Sequence, residues 1–205
     1  MKTISVVTRK GGSGKTTLSA CLAVSAVQNS LVTVALDLDP QASLCLWSDL
    51  RDEDQPPIIP VPASRITQVL EGADKEGCDL AIIDTMPHAE GSILTAARSA
   101  DLCLIPVRAA VLDLGAIAQT VDICKLAAVP YVAVINAVKS KALLNEAKQA
   151  IASLGLELCP IPIWDRTDYP RSMGAGLTPT EYAPEEKAAR EVSRLYKWVF
   201  QQIHA

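Results

Sequence analysis

Short runs of consecutive apolar residues recur along the 205-residue chain, and they constrain its fold more than any other feature. Stretches of helical character separate them, among them residues 14–29, 110–127 and 143–154. Continuous apolar runs are typical of strands buried on both faces of a parallel sheet. The pattern predicts one α/β domain over residues 1–205, with a doubly wound, mostly parallel sheet of about seven strands flanked by helices. The expected strands are 3–8, 31–36, 58–61, 80–84, 102–107, 131–135 and 158–161.

Composition and charge limit the classes of partner that the chain can have. Hydrophobic residues make up 49% of the chain, charged residues 20%, and the net charge is −4. These values describe an ordinary globular chain and exclude a positive field over the whole surface. Binding to nucleic acid or to an anionic membrane would therefore need a local basic patch.

Cysteine spacing and hydropathy exclude two further classes. The six cysteines show no C-x-x-C spacing and mostly lie in apolar runs, which favours buried, reduced thiols over a zinc or iron–sulfur site. Residues 16–36 carry no charge and are long enough to span a bilayer. Gln28, Asn29 and Ser30 nevertheless interrupt this run where a helix should give way to a strand. We expect a cytoplasmic protein without stable membrane insertion.

A glycine-rich loop follows the first expected strand and precedes a helix, which is the setting of a phosphate-binding P-loop. Its glycines let backbone N–H groups turn towards phosphate oxygens, and the helix N-terminus adds further donors. Lys15 is expected to reach the β- and γ-phosphates, and the Thr16 hydroxyl to bind Mg²⁺. The expected nucleotide-binding residues of this loop are Lys10, Gly11, Gly12, Ser13, Gly14, Lys15, Thr16 and Thr17.

The loop departs from the common G-x-x-x-x-G-K-[ST] pattern, because Arg9 stands where a glycine is usual. It reads KGGSGKTT from Lys10 onward, with a second, early lysine. This resembles the deviant Walker A loop of the ParA/MinD family of ATPases, most of all its small ParA-type (ParF-like) partition proteins. The resemblance implies a P-loop NTPase that binds ATP and Mg²⁺. In that family the early lysine crosses a dimer interface, so Lys10 is expected to act in trans as an arginine finger does.

Two aspartates follow the second expected strand, in the sequence Asp-Leu-Asp-Pro-Gln from Asp37. At this spacing both carboxylates point the same way, and their repulsion calls for a cation or ordered water nearby. The sequence is similar to the second motif of the ParA family. The similarity implies that Asp37 orders the Mg²⁺ water shell and that Asp39 orients the attacking water. An acid-rich helix N-terminus is the alternative interpretation.

The fourth expected strand ends at Asp84 after four apolar residues, which is a Walker B pattern. The carboxylate should lie at the carboxyl edge of the sheet beside the P-loop and bind Mg²⁺ through water, together with Thr16. Residues 85–87, Thr-Met-Pro, follow where the family usually has a loop with glycine.

Recognition of the base rests on the resemblance. The sequence lacks the Asn-Lys-x-Asp motif that reads guanine, and the sixth expected strand is followed by Asn136. ParA-like proteins place an asparagine at this strand end against adenine, which implies the same role for Asn136. Pro162, in an Ile-Pro-Ile turn, fits the loop that covers the base. A turn residue that ends the strand is the alternative for Asn136.

The last predicted helix, residues 184–203, has an apolar face and a basic face. Three interpretations of the basic face stay open: a solvated surface, a site for the DNA backbone without sequence preference, and a membrane-surface anchor of the MinD kind. The DNA-binding candidates are Arg166, Arg171, Lys187, Arg190, Arg194 and Lys197.

The expected function is that of a slow, Mg²⁺-dependent ATPase that acts as a partition or positioning switch on the nucleoid. By the resemblance, the ATP-bound form is a homodimer that binds nonspecific DNA, and a ParB-like or cargo-adaptor protein stimulates hydrolysis. Without an N-terminal helix-turn-helix domain, repression of an operator is not expected. The alternatives are a MinD-like ATPase on a membrane surface and a P-loop biosynthetic ligase of the dethiobiotin synthetase type.

Overall fold

The computed structural model describes residues 1–110 and 113–204. Its centre is a six-stranded parallel sheet in the order β3-β2-β4-β1-β5-β6. The strands are β1 (Lys2–Val6), β2 (Thr33–Asp37), β3 (Ile58–Pro60), β4 (Leu80–Asp84), β5 (Leu102–Arg108) and β6 (Tyr131–Asn136). The expected α/β fold with a doubly wound parallel sheet is therefore confirmed.

Helices cover both faces of this sheet. They are α1 (Lys15–Gln28), α2 (Ser43–Ser48), α3 (Ile66–Lys75), α4 (Glu90–Arg98), α5 (Leu114–Ala127), α6 (Lys141–Ser153), α7 (Asp168–Gly174), α8 (Pro179–Tyr182) and α9 (Lys187–Gln202). On one face, α1, α2, α7 and α9 pack over a single apolar cluster. On the other face, α3 to α6 pack over two clusters. Successive strand residues alternate between the two faces, which explains why the strands read as continuous apolar runs.

The parallel register brings the polar strand ends to one edge of the sheet. Asp37 of β2 and Val6 of β1 both lie opposite Asp84 of β4, and Arg108 of β5 lies opposite Asn136 of β6. The loop after β1 therefore opens between carboxylates on one side and an arginine and an amide on the other. Ligands of open α/β sheets bind outside the carboxyl ends of the strands in this way.

The expected seventh strand, residues 158–161, is not part of the sheet, so the prediction of seven strands is wrong by one. This segment runs beside β6, where Leu158 forms an isolated bridge with Ala133. A second isolated bridge joins Val138, just after β6, to Trp164. Pro160 and Pro162 lie between the two bridges. Because proline has no backbone N–H, a continuous ladder cannot form across them.

Two helices begin at least three residues later than predicted. The helix expected over 110–127 begins at Leu114, where the Asp113 carboxylate accepts a hydrogen bond from the backbone N–H of Ala116 at 3.0 Å. Residues 111 and 112 lie outside the described residues. The helix expected over 184–203 is α9, which begins at Lys187. Its apolar face is buried against the core. No helix in the described part of the chain combines the length and apolarity that a bilayer span requires.

Candidate nucleotide-binding site

The loop between β1 and α1 depends on two glycines for its shape. Gly12 and Gly14 have φ of +69° and +95°, a left-handed backbone that other residues rarely adopt. A Cβ on Gly14 would also lie 2.1 Å from Nδ2 of Asn136, so a side chain there would displace the Asn136 amide. Gly14 is the N-cap of α1 and offers no side-chain cap. The first N–H groups of α1 are therefore available to an anion, as a phosphate-binding loop requires.

Lys15 and Ser13 provide two further groups that a phosphate would complete. Lys15 is only 6% exposed, and within residues 1–110 and 113–204 no carboxylate forms an ion pair with it. Burial lowers its pKa, although the nearby charges of Asp84 and Asp39 oppose this shift. The hydroxyl of Ser13 is buried and has no hydrogen-bond partner among the residues that the structure describes. These residues fit the polyphosphate chain of a nucleotide, because phosphate oxygens would satisfy both groups.

Asp84 is hydrogen-bonded to Thr16, the residue with which it was expected to act, and also to Ser19. One carboxylate oxygen accepts from the Thr16 hydroxyl at 2.7 Å and the other from the Ser19 hydroxyl at 3.1 Å. Burial raises the pKa of Asp84 to about 7; the Thr16 hydrogen bond opposes the rise, and the charge of Asp37 adds to it. A Mg²⁺ ion would bring the positive charge that this buried carboxylate lacks.

The oxygen groups present suit a hard cation that keeps much of its own water. Among the described residues, no group of three His, Cys, Asp or Glu side chains could hold a metal ion. Mg²⁺ commonly binds through one or two protein oxygens together with water and substrate phosphates. Thr16 and Asp84 fit that donor set, and they are the residues that would hold the ion.

Asp37 organises the acidic motif through backbone hydrogen bonds. Its two oxygens accept from the N–H groups of Asp39, Leu44 and Cys45 at 2.9–3.0 Å. Asp37 therefore caps the start of α2. This agrees with the alternative interpretation of the motif, an acid-rich helix N-terminus. Asp39 is half-buried and accepts from the N–H of Gln41 at 2.9 Å. The roles of Asp37 in the Mg²⁺ shell and of Asp39 in orienting water stay predictions.

Lys10 lies within reach of a carboxylate of its own chain. Its ammonium is 3.7 Å from the Asp113 carboxylate at the start of α5. The neighbouring Arg9 pairs with Glu90 of α4 at 2.8 Å and donates to Gln119 of α5 at 2.7 Å. Both cations thus lie on the face formed by the P-loop, α4 and α5. The expected role of Lys10 in trans stays a prediction.

A cavity of about 190 Å³ adjoins the P-loop on the side of β6. Asn136 lines it and donates from Nδ2 to the carbonyl of Ser13 at 2.8 Å. Its Oδ1 accepts from the N–H of Ala137 at 2.9 Å. Asn136 therefore braces the P-loop as well as facing the expected base site. Pro162 does not line this cavity, whereas the residues directly after it, 163–166, form part of its wall.

Arg166 belongs to this wall and not to the exposed basic residues with which the sequence analysis grouped it. Its guanidinium binds the carboxylate of Glu191 on α9 through Nε, at 2.8 Å, and through Nη2. The same carboxylate accepts from the N–H of Trp164 at 3.2 Å and the hydroxyl of Tyr169 at 3.4 Å. Glu191 thus ties the wall of the cavity to α9.

The remaining DNA-binding candidates are exposed. Lys187, Arg190, Arg194 and Lys197 lie on the outer face of α9, and Arg171 lies on the exposed side of α7. Because the opposite face of α9 is buried, these four cations of the helix form a continuous solvent-facing stripe.

Sequence reasoning missed Ser19, Asp113 and Arg108. Ser19 could have been found, because it lies three residues after Thr16 and so shares its helix face. Asp113 and Arg108 reach the P-loop from α5 and β5. No local motif signals them.

Comparisons with known proteins agree with this geometry. Residues 4–179 match the profile of the CobQ/CobB/MinD/ParA nucleotide-binding domain. The chain is 28% identical over 181 residues to protein ParA of Rhizobium radiobacter, covering 82% of this chain and 81% of the relative. It is 26% identical over 203 residues to the maintenance of carboxysome distribution protein A (McdA) of Halothiobacillus neapolitanus, covering 94% of each.

A solved structure supports the same conclusion about the fold. The cell division ATPase MinD of Pyrococcus furiosus superposes with a TM-score of 0.82 at 18% identity, covering 98% of each chain. The family profile matches residues 4–179, far more than half of the chain, and this range includes the loop described above. The chain therefore belongs to the CobQ/CobB/MinD/ParA nucleotide-binding family, as a domain of the ParA/MinD type.

Proposed function

We propose that this protein is an ATP-hydrolysing switch that positions a cargo on the bacterial nucleoid. The observation that carries the proposal is the KGGSGKTT loop, in which the buried Lys15 lies among Asp84, Asp39 and the uncapped start of α1. The relatives named ParA and McdA support a positioning role, and the name of the second states that its task is carboxysome distribution.

The site residues divide the work of hydrolysis. Lys15 and the N–H groups of α1 stabilise charge on the transferred phosphoryl group. Thr16 and Asp84 would hold Mg²⁺, which would supply positive charge against the phosphates. Asp39 orients the attacking water. Lys10 completes the site from the partner protomer of an ATP-bound homodimer, so turnover by a single protomer is slow.

The exposed stripe of α9 is the surface proposed for DNA. Lys187, Arg190, Arg194 and Lys197 suit phosphate contacts, which carry no sequence preference. Two stripes in one dimer would act together and raise the affinity without a new contact. A ParB-like or cargo-adaptor protein would stimulate hydrolysis and so release the dimer from the cytoplasmic nucleoid.

The same helix argues against a membrane anchor formed by α9. An interfacial helix must expose its apolar face, whereas Val192, Leu195 and Val199 are at most 1% exposed. The DNA-binding interpretation of the basic stripe is therefore preferred over the MinD-like one.

The deciding measurement is DNA binding by the purified protein with ATP, with ADP and without nucleotide, each at two salt concentrations. We expect binding to arbitrary DNA only with ATP, and weaker binding at the higher salt. Lys15→Ala is the matched control and should bind DNA in none of these conditions. DNA binding that is equally strong with ATP, with ADP and without nucleotide would contradict the proposal, and so would the absence of DNA binding in all three. Vesicle binding and substrate screens would then distinguish a membrane-surface ATPase from a biosynthetic ligase.

A further inference from the structure

An arginine from outside the nucleotide-binding motifs faces the P-loop. Arg108 is the last residue of β5 and lies opposite Asn136 in the sheet register. The N–H of Ala109 donates to the carbonyl of Asn136 at 3.1 Å, which holds the two strand ends together. Position 108 therefore points its side chain into the same edge of the sheet as the P-loop, because both strands end there.

The guanidinium of Arg108 contacts the P-loop backbone directly. Nη1 donates to the carbonyl oxygen of Gly12 at 3.4 Å. The side chain lines the cavity beside Gly12 and Gly14, and it also lines a smaller recess that contains Ser13 and Lys10. Arg108 thus lies over the middle of the loop that would surround the phosphates.

The charge of Arg108 has no carboxylate partner in the part of the chain that the structure describes. Within residues 1–110 and 113–204 it forms no ion pair with a carboxylate, unlike Arg9, Arg51 and Arg166. Its only hydrogen bond among these residues uses one of five guanidinium donors. A cation held against an anion-binding loop with four donors to spare is suited to phosphate oxygens, which arginine binds in a fixed planar geometry.

We propose that Arg108 is a nucleotide-binding residue, whose guanidinium contacts the phosphate chain of the nucleotide held by the P-loop of its own protomer. This inference rests on the proposed function, since it requires that the loop bind a nucleotide. Arg108 would add a third cation to Lys15 and Lys10, from a strand that carries none of the nucleotide motifs. Arg108 contacts Gly12 within one protomer, so the proposed phosphate contact needs no partner protomer.

The test is calorimetric titration of Mg·ADP into the full chain, because ADP avoids both hydrolysis and the ATP-bound dimer. Arg108→Ala should raise the dissociation constant about tenfold, as expected for one partly exposed charged hydrogen bond. Arg108→Lys should lose less ADP affinity than Arg108→Gln, because lysine keeps the positive charge whereas glutamine keeps only a hydrogen-bond donor for Gly12. The difference between wild type and Arg108→Ala should shrink as the salt concentration rises.

The control is Arg98→Ala, which removes an exposed arginine at the end of α4. Arg98 lies near the amino ends of the strands, because Asp101, three residues later, donates its N–H to the carbonyl of Thr3 at that edge of the sheet. The P-loop lies at the opposite edge, so no change in ADP affinity is expected. If Arg108→Gln binds ADP as tightly as the wild type, the inference is overturned, because the charge of Arg108 then contributes nothing to nucleotide binding. Arg108→Ala that matches Arg98→Ala would also overturn it. In both cases a wild type that binds ADP leaves the proposed function intact, whereas a wild type that binds no nucleotide contradicts that function itself.

Discussion

At the scale of single residues, Asp84 shows how burial and function oppose each other. Its carboxylate is 1% exposed and lies beside the carboxylate of Asp37 across the β2–β4 pair. Two hydroxyl groups, from Thr16 and Ser19, are its side-chain partners. The fold therefore tolerates a destabilising charge at the position where a cation would be bound.

This opposition predicts a pH dependence of stability. The pKa of Asp84 is about 7 in the folded chain, whereas an unfolded aspartate has a pKa of about 3.9. Between these values the folded state holds the extra proton, so the free energy of unfolding should fall as pH rises and level off above about 7. Asp84→Asn cannot titrate and should be free of this contribution.

Urea unfolding of the wild type and Asp84→Asn at pH 5 and pH 8 checks this expectation, without nucleotide or Mg²⁺. The stability of the variant relative to the wild type should increase by about 2–3 kcal/mol between the two pH values. Contributions of other groups cancel in this difference, because both proteins carry them. A difference that stays the same at both pH values would mean that Asp84 does not titrate in this range.

At the scale of elements, a buried arginine joins α2 to the C-terminal part of the chain. Arg51 follows α2 and is 2% exposed along its side chain. Its guanidinium binds both oxygens of Glu181 on α8, at 2.8 and 3.2 Å, and the carbonyl of Gly176 at 2.9 Å. It also lies over the ring of Trp47, 4.8 Å from the centroid. The acidic motif before α2 is thereby tied to the segment 176–181.

Removing this arginine should destabilise the fold strongly. Arg51→Ala leaves Glu181 without its partner, and loss of one member of a buried pair costs about 3–5 kcal/mol. Lys139→Ala is the matched control, because Lys139 and Asp165 form an exposed pair at 3.7 Å and its loss should cost at most about 1 kcal/mol. Denaturant unfolding of both variants measures the two values. If both variants lose the same free energy of unfolding, burial of the Arg51–Glu181 pair adds nothing to stability.

The basic stripe of α9 carries a prediction about DNA. Arg190→Ala combined with Arg194→Ala should weaken ATP-dependent DNA binding and lower the slope of log affinity against log salt by about 2, one for each lost phosphate contact. The control pair is Arg65→Ala with Lys75→Ala, which removes the same charge from exposed positions around α3. Titrations of arbitrary DNA over a range of salt give both slopes. If the two double variants behave alike, net charge and not the stripe determines the affinity.

At the scale of the whole molecule, the proposed switch requires two copies of the chain. In the monomer Lys10 lies 3.7 Å from Asp113, so its expected transfer to a partner would exchange that carboxylate for phosphate. Asp39→Ala should bind ATP without hydrolysing it and accumulate as a dimer, because the attacking water is no longer oriented. Adding Lys10→Ala should return this variant to a monomer that still binds ATP.

Light scattering of the two variants with ATP measures this change in mass. Lys2→Ala in the Asp39→Ala background is the control, because Lys2 pairs with Asp101 at the opposite edge of the sheet. That control should remain a dimer. A dimer that survives the loss of Lys10 would remove this lysine from the interface.

The parts of the site predicted from the sequence are those that one continuous segment encodes. The P-loop needs only a strand, glycines with their backbone freedom and a helix start, and all lie within residues 2–18. Asp84 was found because a parallel sheet brings strand ends together, so an acid after an apolar run has a predictable place. The prediction of a strand over residues 158–161 was wrong, because two prolines prevent a continuous ladder with β6.

The pairing of side chains that are distant in sequence was decided only by the tertiary structure. Arg51 and Glu181 are 130 residues apart, and Arg166 meets Glu191 only because α9 packs beside the cavity. The sequence alone classed Arg166 with the exposed cations, since a charge pattern carries no information about which carboxylate is within reach. Local backbone chemistry thus determined the phosphate loop and the order of strands and helices. The helices packed on the sheet decided which cations are held by carboxylates and which face the loop or the solvent, because ion pairing depends on distances that only the folded chain defines.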